Sequence, residues 1–296
     1  MLSWTAQFLK SQLLTAVPVP TSDFSHQTVI VTGSNTGLGL EAARRITRLG
    51  ASKVILAVRT PFKGESAAAD IVQSCNVPKS TLEVWKLDMS DYDSIKAFAK
   101  RAEGLDRLDA AVLNAGILTN KLEKYNGIES HIAVNVIGSL LLTTLLLPKL
   151  RQSARLTGQR GRLTVVGSDT MYIANIVDLE DDGKILDKLN HATIEDMGGR
   201  YPLSKMLLFY SLRELARRSP VSDDSNVLIT DVTPGLCKSE LIRHDLSAVG
   251  RTAMSIMSGV LARTTEQGSR TLAHAVSPDL QVEAHGRFLM DCTIYP

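Results

Sequence analysis

The sequence predicts an α/β chain: an open, doubly wound parallel sheet of about seven strands, with helices on both faces, in a single domain. Three observations carry that reading. Short apolar runs without polar alternation, such as Thr28-Val-Ile-Val31, are what strands covered on both faces require. Stretches with apolar residues at helical spacing separate these runs, and regular strand–helix alternation implies parallel strands joined by right-handed crossovers. The size fits as well, because 296 residues, 44% hydrophobic and 22% charged, suit one globular domain with extensions.

The elements follow in order. Trp4, Phe8 and Leu9 recur at helical spacing and predict a short helix packed on the domain, with a peripheral membrane or partner contact through residues 1–14 as the alternative. Pro18 and Pro20 mark a linker, so 1–25 reads as an N-terminal extension and 26–296 as the domain. The first strand is 28–31, followed by a glycine turn and a helix over 38–49. Strands are expected at 53–58 and 81–87 with a helix between them. Ser90-Asp-Tyr-Asp93 reads as a capping box for the next helix. The fourth strand is 108–113, a long helix covers 130–147 up to Pro148, and the fifth strand is 162–166. A helix at 201–217, a strand at 226–232, helices at 246–261 and 266–275, and a strand at 287–290 complete the pattern, with Thr264-Thr-Glu-Gln267 capping the last helix.

Composition narrows the function. With 33 Lys and Arg against 31 Asp and Glu, the net charge of +2 argues against nucleic acid as the main partner. Cys75, Cys237 and Cys292 are far apart and odd in number, so they form neither a disulfide framework nor a metal cluster and suit a reducing, cytoplasmic setting. The N-terminus lacks the basic start of a secretory signal. The apolar run 132–147 is interrupted by Asn135, Gly138 and Ser139 and falls short of the ~20 residues of a membrane span, so it reads as a buried helix.

In open α/β sheets ligands bind beyond the carboxyl ends of the strands. The first strand runs into Thr32-Gly33-Ser34-Asn35-Thr36-Gly37-Leu38-Gly39. Gly33 makes a tight turn, Gly37 lets backbone approach a pyrophosphate, and Gly39 lets helix and sheet pack closely. The helix N-terminus then offers N–H groups and a positive dipole end to phosphates. The second strand ends Ala57-Val58-Arg59-Thr60, without the acid that holds an unphosphorylated ribose. Arg59, with Lys63 nearby, suits a 2′-phosphate instead, which points to NADP(H).

Tyr201-Pro-Leu-Ser-Lys205 sets a phenol and an ammonium four residues apart on one helix face. A nearby ammonium is expected to lower the Tyr201 pKa and make it a usable acid/base. Ser168, at the end of Val165-Val-Gly-Ser168, can hydrogen-bond a substrate oxygen.

With these motifs in sequence, the chain over about 25–292 resembles the short-chain dehydrogenases/reductases, in particular NADP-preferring retinol-dehydrogenase-like and fungal reductase-like members. The matching residues are the glycine turn, Asp88, Leu113-Asn114-Ala115-Gly116, Asn135, Ser168, Tyr201 with Lys205, and Pro234-Gly235. The resemblance implies a Rossmann-like sheet and specific roles. Asp88 and Met89 would hold the adenine, and Asn114, Ala115 and Gly116 would line its ribose and support the central strand. Asn135 would hold a water in a proton relay with Lys205. Pro234, Gly235, Leu236 and Ser239 would contact the nicotinamide end. Gly167 and Leu113 depart from the family pattern, the first standing where many members carry a second Ser.

The implied activity is carbonyl–alcohol interconversion by hydride transfer, on a medium or large apolar small molecule or secondary metabolite. A dehydration, epimerisation or rearrangement on the same site, or an NADP-binding regulatory protein without turnover, are the alternatives. Residues 169–200 read as an insertion on the substrate side, with the acidic run Asp178 to Asp182, and 236–262 as a substrate segment containing His244, Met254 and Met257. Family resemblance also implies a homodimer or homotetramer through the helices at 130–147 and 201–217.

Overall fold

The computed structural model describes residues 4–175, 185–191, 193–223, 225–238, 241 and 259–295. Ser239, His244, Met254, Met257, the Asp178 to Asp182 run and nearly all of the helix expected at 246–261 lie outside them. The strands are β1 Thr28–Thr32, β2 Lys53–Val58, β3 Leu82–Lys86, β4 Ala110–Leu113, β5 Lys124–Tyr125, β6 Ile128–Glu129, β7 Gly161–Val166, β8 Val227–Thr233, β9 Phe288–Met290 and β10 Thr293–Tyr295. Eight form one sheet in the order β10-β9-β8-β7-β4-β1-β2-β3. Every pairing in it is parallel except β9 with β10. The chain steps outward from β1 to β3 and then returns to β4 on the other side of β1, so the crevice of a doubly wound sheet opens between β1 and β4.

The helices are α1 Trp4–Leu14, α2 Gly37–Arg48, α3 Pro61–Cys75, α4 Tyr92–Glu103, α5 Ser139–Thr157, α6 Ile185–Asn190, α7 Met197–Arg218 and α8 Thr265–Ala275. The alternation of strand side chains divides the core between two faces. Val29 and Val31 of β1 pack with Ile46, Ile71 and Leu272 from α2, α3 and α8. Ile30 packs on the opposite face with Ile95, Leu142, Leu146 and Leu208 from α4, α5 and α7. Each such side chain taken fully from water contributes about 1.5–3 kcal/mol.

Four expectations change. The long apolar helix does not stop at Pro148: a π-helical turn, Ile132–Gly138, leads into α5, which carries the proline inside it and runs to Thr157. Residues 132–157 are long and apolar enough to cross a membrane by composition, yet 67% of their most apolar window is buried against the protein. The cap of α4 is Asp91, whose carboxylate accepts from the Asp93 and Ser94 amides, while Ser90 turns back to Asp88. The helix carrying Tyr201 begins four residues earlier, at Met197, with Gly198 and Gly199 in its first turn. The capping box of Thr264 and Gln267 forms as expected.

Candidate active site

The glycine turn lies at the carboxyl end of β1. Gly33 and Gly37 have φ of +64° and +60°, a region that L side chains enter at a cost. Ser34 is buried and its hydroxyl donates to the Val31 carbonyl at 2.9 Å, which ties the turn to the strand. Thr36 precedes α2 but makes no side-chain cap, so the N-terminal N–H groups of α2 are not taken by it. A Cβ at Gly37 would meet nothing within 4 Å, so this face of the turn is open. A Cβ at Gly39 would lie 2.5 Å from the Gly33 carbonyl oxygen and 2.6 Å from Asn114 Nδ2. The uncapped helix end and the open face at Gly37 fit a diphosphate.

Asn114 and Ala115 join this turn to β4. Asn114 Nδ2 donates to the carbonyls of Thr32 at 3.0 Å and Gly33 at 3.3 Å, and the Ala115 amide donates to Thr32 Oγ1 at 2.9 Å. On the outer side, Arg59 and Lys63 are exposed, at the end of β2 and in the first turn of α3. Asp88 Oδ1 accepts from the amide and hydroxyl of Ser90 at 3.0 and 2.7 Å, next to buried Met89. The charges of Arg59 and Asp88 both act on the Tyr125 hydroxyl, whose pKa burial raises. The β5–β6 hairpin thus borders the same end of the crevice, and Asn126 fastens it by donating to the Ser90 carbonyl at 3.0 Å.

The second cluster gathers beyond β4, β7 and α7. Asn135 lies in the π-helical turn. Its Oδ1 accepts from the Ile117 amide at 2.9 Å, and its Nδ2 donates to the Ile117 carbonyl at 3.0 Å and to Ser204 Oγ at 3.1 Å. The widened turn is a frequent way to place a side chain at a functional site. Gly116 is narrow for the same reason: a Cβ there would lie 3.0 Å from Asn135 Oδ1 and 3.7 Å from Lys205 Nζ. Buried Lys205 donates to the Val166 carbonyl at 2.7 Å, and its Nζ stands 5.5 Å from the Tyr201 ring centroid.

Ser168 Oγ accepts from the Thr170 amide at 3.2 Å, lies 2.9 Å from Thr170 Oγ1, and acts on the Tyr201 hydroxyl. Glu129 and His131, fully buried and 2.9 Å apart, back this cluster, with the His131 ring edge-on to Tyr201 at 6.5 Å. Sequence reasoning missed that pair because its only local signal was two polar residues at the head of an apolar helix.

The electrostatics correct one expectation. Burial pushes the Tyr201 hydroxyl up, Ser168 draws it partly back, and Asp169 and Asp231 add to the rise. Lys205 is not among the groups that offset this rise, and its ammonium donates to the Val166 carbonyl. Burial instead pulls Lys205 below the usual lysine range, against the charge of Asp231. A phenol held up in this way is protonated at neutral pH and is therefore a proton donor.

Helix α1 packs on the residues just after β8 and on Leu261 and Arg263. Gly235 has φ of +73°, and the space where its Cβ would stand is taken by the Gln12 side chain. Gln12 accepts from the Leu236 amide at 3.2 Å and donates to the carbonyls of Leu236 at 3.0 Å and Leu261 at 2.9 Å. The N-terminal helix therefore packs on the domain, as its spacing predicted. Pro234 offers its carbonyl to Arg263 Nη1 at 3.2 Å.

Comparison with known proteins agrees with this geometry. The sequence profile of the family described as short chain dehydrogenase matches residues 27–176. The chain is 42% identical over 291 residues to the short chain dehydrogenase/reductase dmxR8 of Cryptosporiopsis sp., covering 97% of this chain and 88% of that protein. It is 40% identical to the short chain dehydrogenase atnD of Emericella nidulans, covering 98% of this chain and 91% of that protein. Among solved structures, a short chain dehydrogenase from Shigella flexneri superposes with a TM-score of 0.65 at 19% identity, over 93% of this chain and 94% of that one. A 3-ketoacyl-(acyl-carrier-protein) reductase from Brucella melitensis, complexed with NADH, superposes with a TM-score of 0.64 at 19% identity, over 90% of this chain and 97% of that one. With the glycine turn, Asn135, Ser168, Tyr201 and Lys205 gathered at the carboxyl end of one parallel sheet, the chain belongs to the short-chain dehydrogenase/reductase family.

Proposed function

We propose that the protein is an NADP(H)-dependent oxidoreductase that interconverts a carbonyl and an alcohol. The observation that carries this reading is that Ser168, at the end of β7, acts on the Tyr201 hydroxyl beside the buried ammonium of Lys205, whose Nζ stands 5.5 Å from the Tyr201 ring centroid. Bound NADP(H) supplies or accepts the hydride at the reacting carbon. Tyr201, kept protonated by burial, gives its proton to the carbonyl oxygen and takes it back in the alcohol direction. Ser168 accepts from the Thr170 amide and has its own proton to give to the substrate oxygen. Lys205 carries positive charge to the nicotinamide ribose, and Asn135, pinned by Ile117 and Ser204, fixes the floor between them. Arg59 and Lys63, with no acid at the end of β2, favour the 2′-phosphate of NADP over NAD.

The relatives are fungal, and a medium or large apolar ketone, aldehyde or alcohol of secondary metabolism is the substrate class we assign. For assembly we assign α5 and α7 as the homo-oligomer surface, with Tyr210 of α7, 57% exposed, among the residues it would cover. The test is a panel of apolar ketones and aldehydes followed by NADPH absorbance. Wild type turns over at least one, NADH substitutes poorly, and Tyr201→Phe lowers kcat about 10²–10⁴-fold while still binding NADPH. Near-normal turnover by Tyr201→Phe overturns the assignment.

A further inference from the structure

β7 ends in Val165-Val-Gly-Ser168, and β8 runs beside it with Asp231 opposite Val165. Asp231 is 2% exposed, and neither of its carboxylate oxygens has a hydrogen-bond partner. A charged group in that condition is costly unless something else compensates it. Its place is defined by Gly167. A Cβ at residue 167 would overlap the Asp231 carboxyl group and would lie 2.6 Å from its Cγ. Any side chain larger than hydrogen at 167 therefore evicts the carboxylate. The Gly167 amide donates to the Val232 carbonyl at 2.9 Å, and with the Val232 amide it draws the Asp231 pKa only partly back against burial.

Lys205 and Asp231 meet across the Val166–Gly167 peptide, the ammonium on the Val166 carbonyl and the carboxyl group against Gly167, with no contact ion pair between them; burial pushes the Asp231 carboxyl up and the Lys205 charge draws it back, while Asp231 in turn holds Lys205 up against burial. Lys205 is itself 6% exposed and donates to the Val166 carbonyl, on the strand between β4 and β8. The remaining titratable groups on this face are the hydroxyls of Tyr201 and Tyr172, which feel Asp231, and Asp169, which acts on both. Arg213 of α7 and Arg287 ahead of β9 line a small pocket with Asp231, apart from the β1–β4 crevice, but neither figures among the charges acting on its carboxylate.

We propose that Asp231 is the buried counter-charge of Lys205, a positioning residue that keeps the ammonium charged beside Tyr201, and that Gly167 is the notch that admits it. Two opposite charges removed from water stabilise each other's ionised form, and taking one away leaves the other uncompensated. Without Asp231, burial drives Lys205 toward its neutral form, and the positive charge beside Tyr201 is lost at a lower pH. The catalytic part of this statement rests on the proposed carbonyl–alcohol reading, whereas the pairing is independent of it.

The experiment is a ¹³C NMR titration of the full-length protein labelled at lysine Cε, with the Lys205 signal assigned by its loss in Lys205→Met. In Asp231→Asn the Lys205 midpoint moves to lower pH by about one unit or more, a tenfold or larger loss of proton affinity. Should that variant fail to fold, Gly167→Ala combined with Asp231→Ala refills the space without charge and shows the same movement. A midpoint unchanged in Asp231→Asn, or restored to the wild-type position by the double replacement, overturns the proposal. NADPH-dependent reduction of phenanthrenequinone gives the catalytic arm, in which the alkaline limb of kcat shifts to lower pH with the Lys205 midpoint. If the wild type does not reduce this probe while the NMR shift is present, the pairing stands and the functional reading is what fails.

Discussion

Gly37 and Gly39 stand two residues apart in the same turn and answer to different constraints. Gly37 needs its positive φ of +60° and faces open space, whereas Gly39 is closed in by the Gly33 carbonyl and Asn114. Gly39→Ala must therefore displace protein atoms, an overpacking cost of about 1–3 kcal/mol. Gly37→Ala adds backbone strain of roughly 1–2 kcal/mol and puts a methyl group where a diphosphate would approach. In thermal unfolding with and without NADPH, both variants melt lower than wild type, but Gly37→Ala also loses most of the stabilisation by NADPH. Equal NADPH stabilisation in wild type and Gly37→Ala would remove the turn from the cofactor site. At this scale the legible residues were those whose meaning is local. The spacings of Gly33 to Gly39 and of Tyr201 to Lys205 can be read along one strand–turn or one helix. Asp231 could not be read that way, because its meaning depends on β8 lying beside β7 and on a missing side chain at Gly167.

Among the elements, the parallel strands were legible because each is an unbroken apolar run, and the errors cluster where tertiary contacts override local signals. Pro148 sits inside α5 and Pro202 inside α7, although each reads as a boundary. β10 was invisible because its turn, Asp291-Cys292, holds both residues at positive φ, 53° and 61°, without the glycine that usually announces such a hairpin. Helix α1 was expected on the domain, but its hydrogen bonds through Gln12 to Leu236 and Leu261 were not. A glutamine side chain that serves one N–H and two carbonyls ties α1 to Leu236 and Leu261. Gln12→Ala leaves those groups without partners, a cost of about 1–3 kcal/mol. Amide hydrogen exchange at 235–238 then quickens while exchange in β1 and β4 stays slow. Unchanged protection of the loop would show that α1 only covers it.

Across the whole molecule, the two chain ends and the loop after β8 converge on one guanidinium. Arg263, 6% exposed, donates to Asp291 Oδ1 at 2.6 Å in the β9–β10 turn, to the Ser11 carbonyl at 2.8 Å in α1, and to the Pro234 carbonyl at 3.2 Å. Ser11 adds a bond of its own to Asp291 at 2.9 Å. Segments from opposite ends of the sequence are thus fastened at the same edge of the crevice where Gly235 turns. Asp291→Ala leaves a buried arginine without its counter-charge, which costs roughly 3–5 kcal/mol. At about 2–4 °C per kcal/mol for a domain of this class, the melting temperature falls by roughly 10 °C. Replacing both partners, Arg263→Met with Asp291→Leu, removes the uncompensated charge and costs less than Asp291→Ala alone. Calorimetry of the three proteins, each with and without NADPH, measures this directly. The single replacement also weakens NADPH stabilisation, since the loop carrying Pro234 and Gly235 loses an anchor. A melting temperature of Asp291→Ala equal to wild type would mean that the sheet alone, and not this junction, holds the two ends in place.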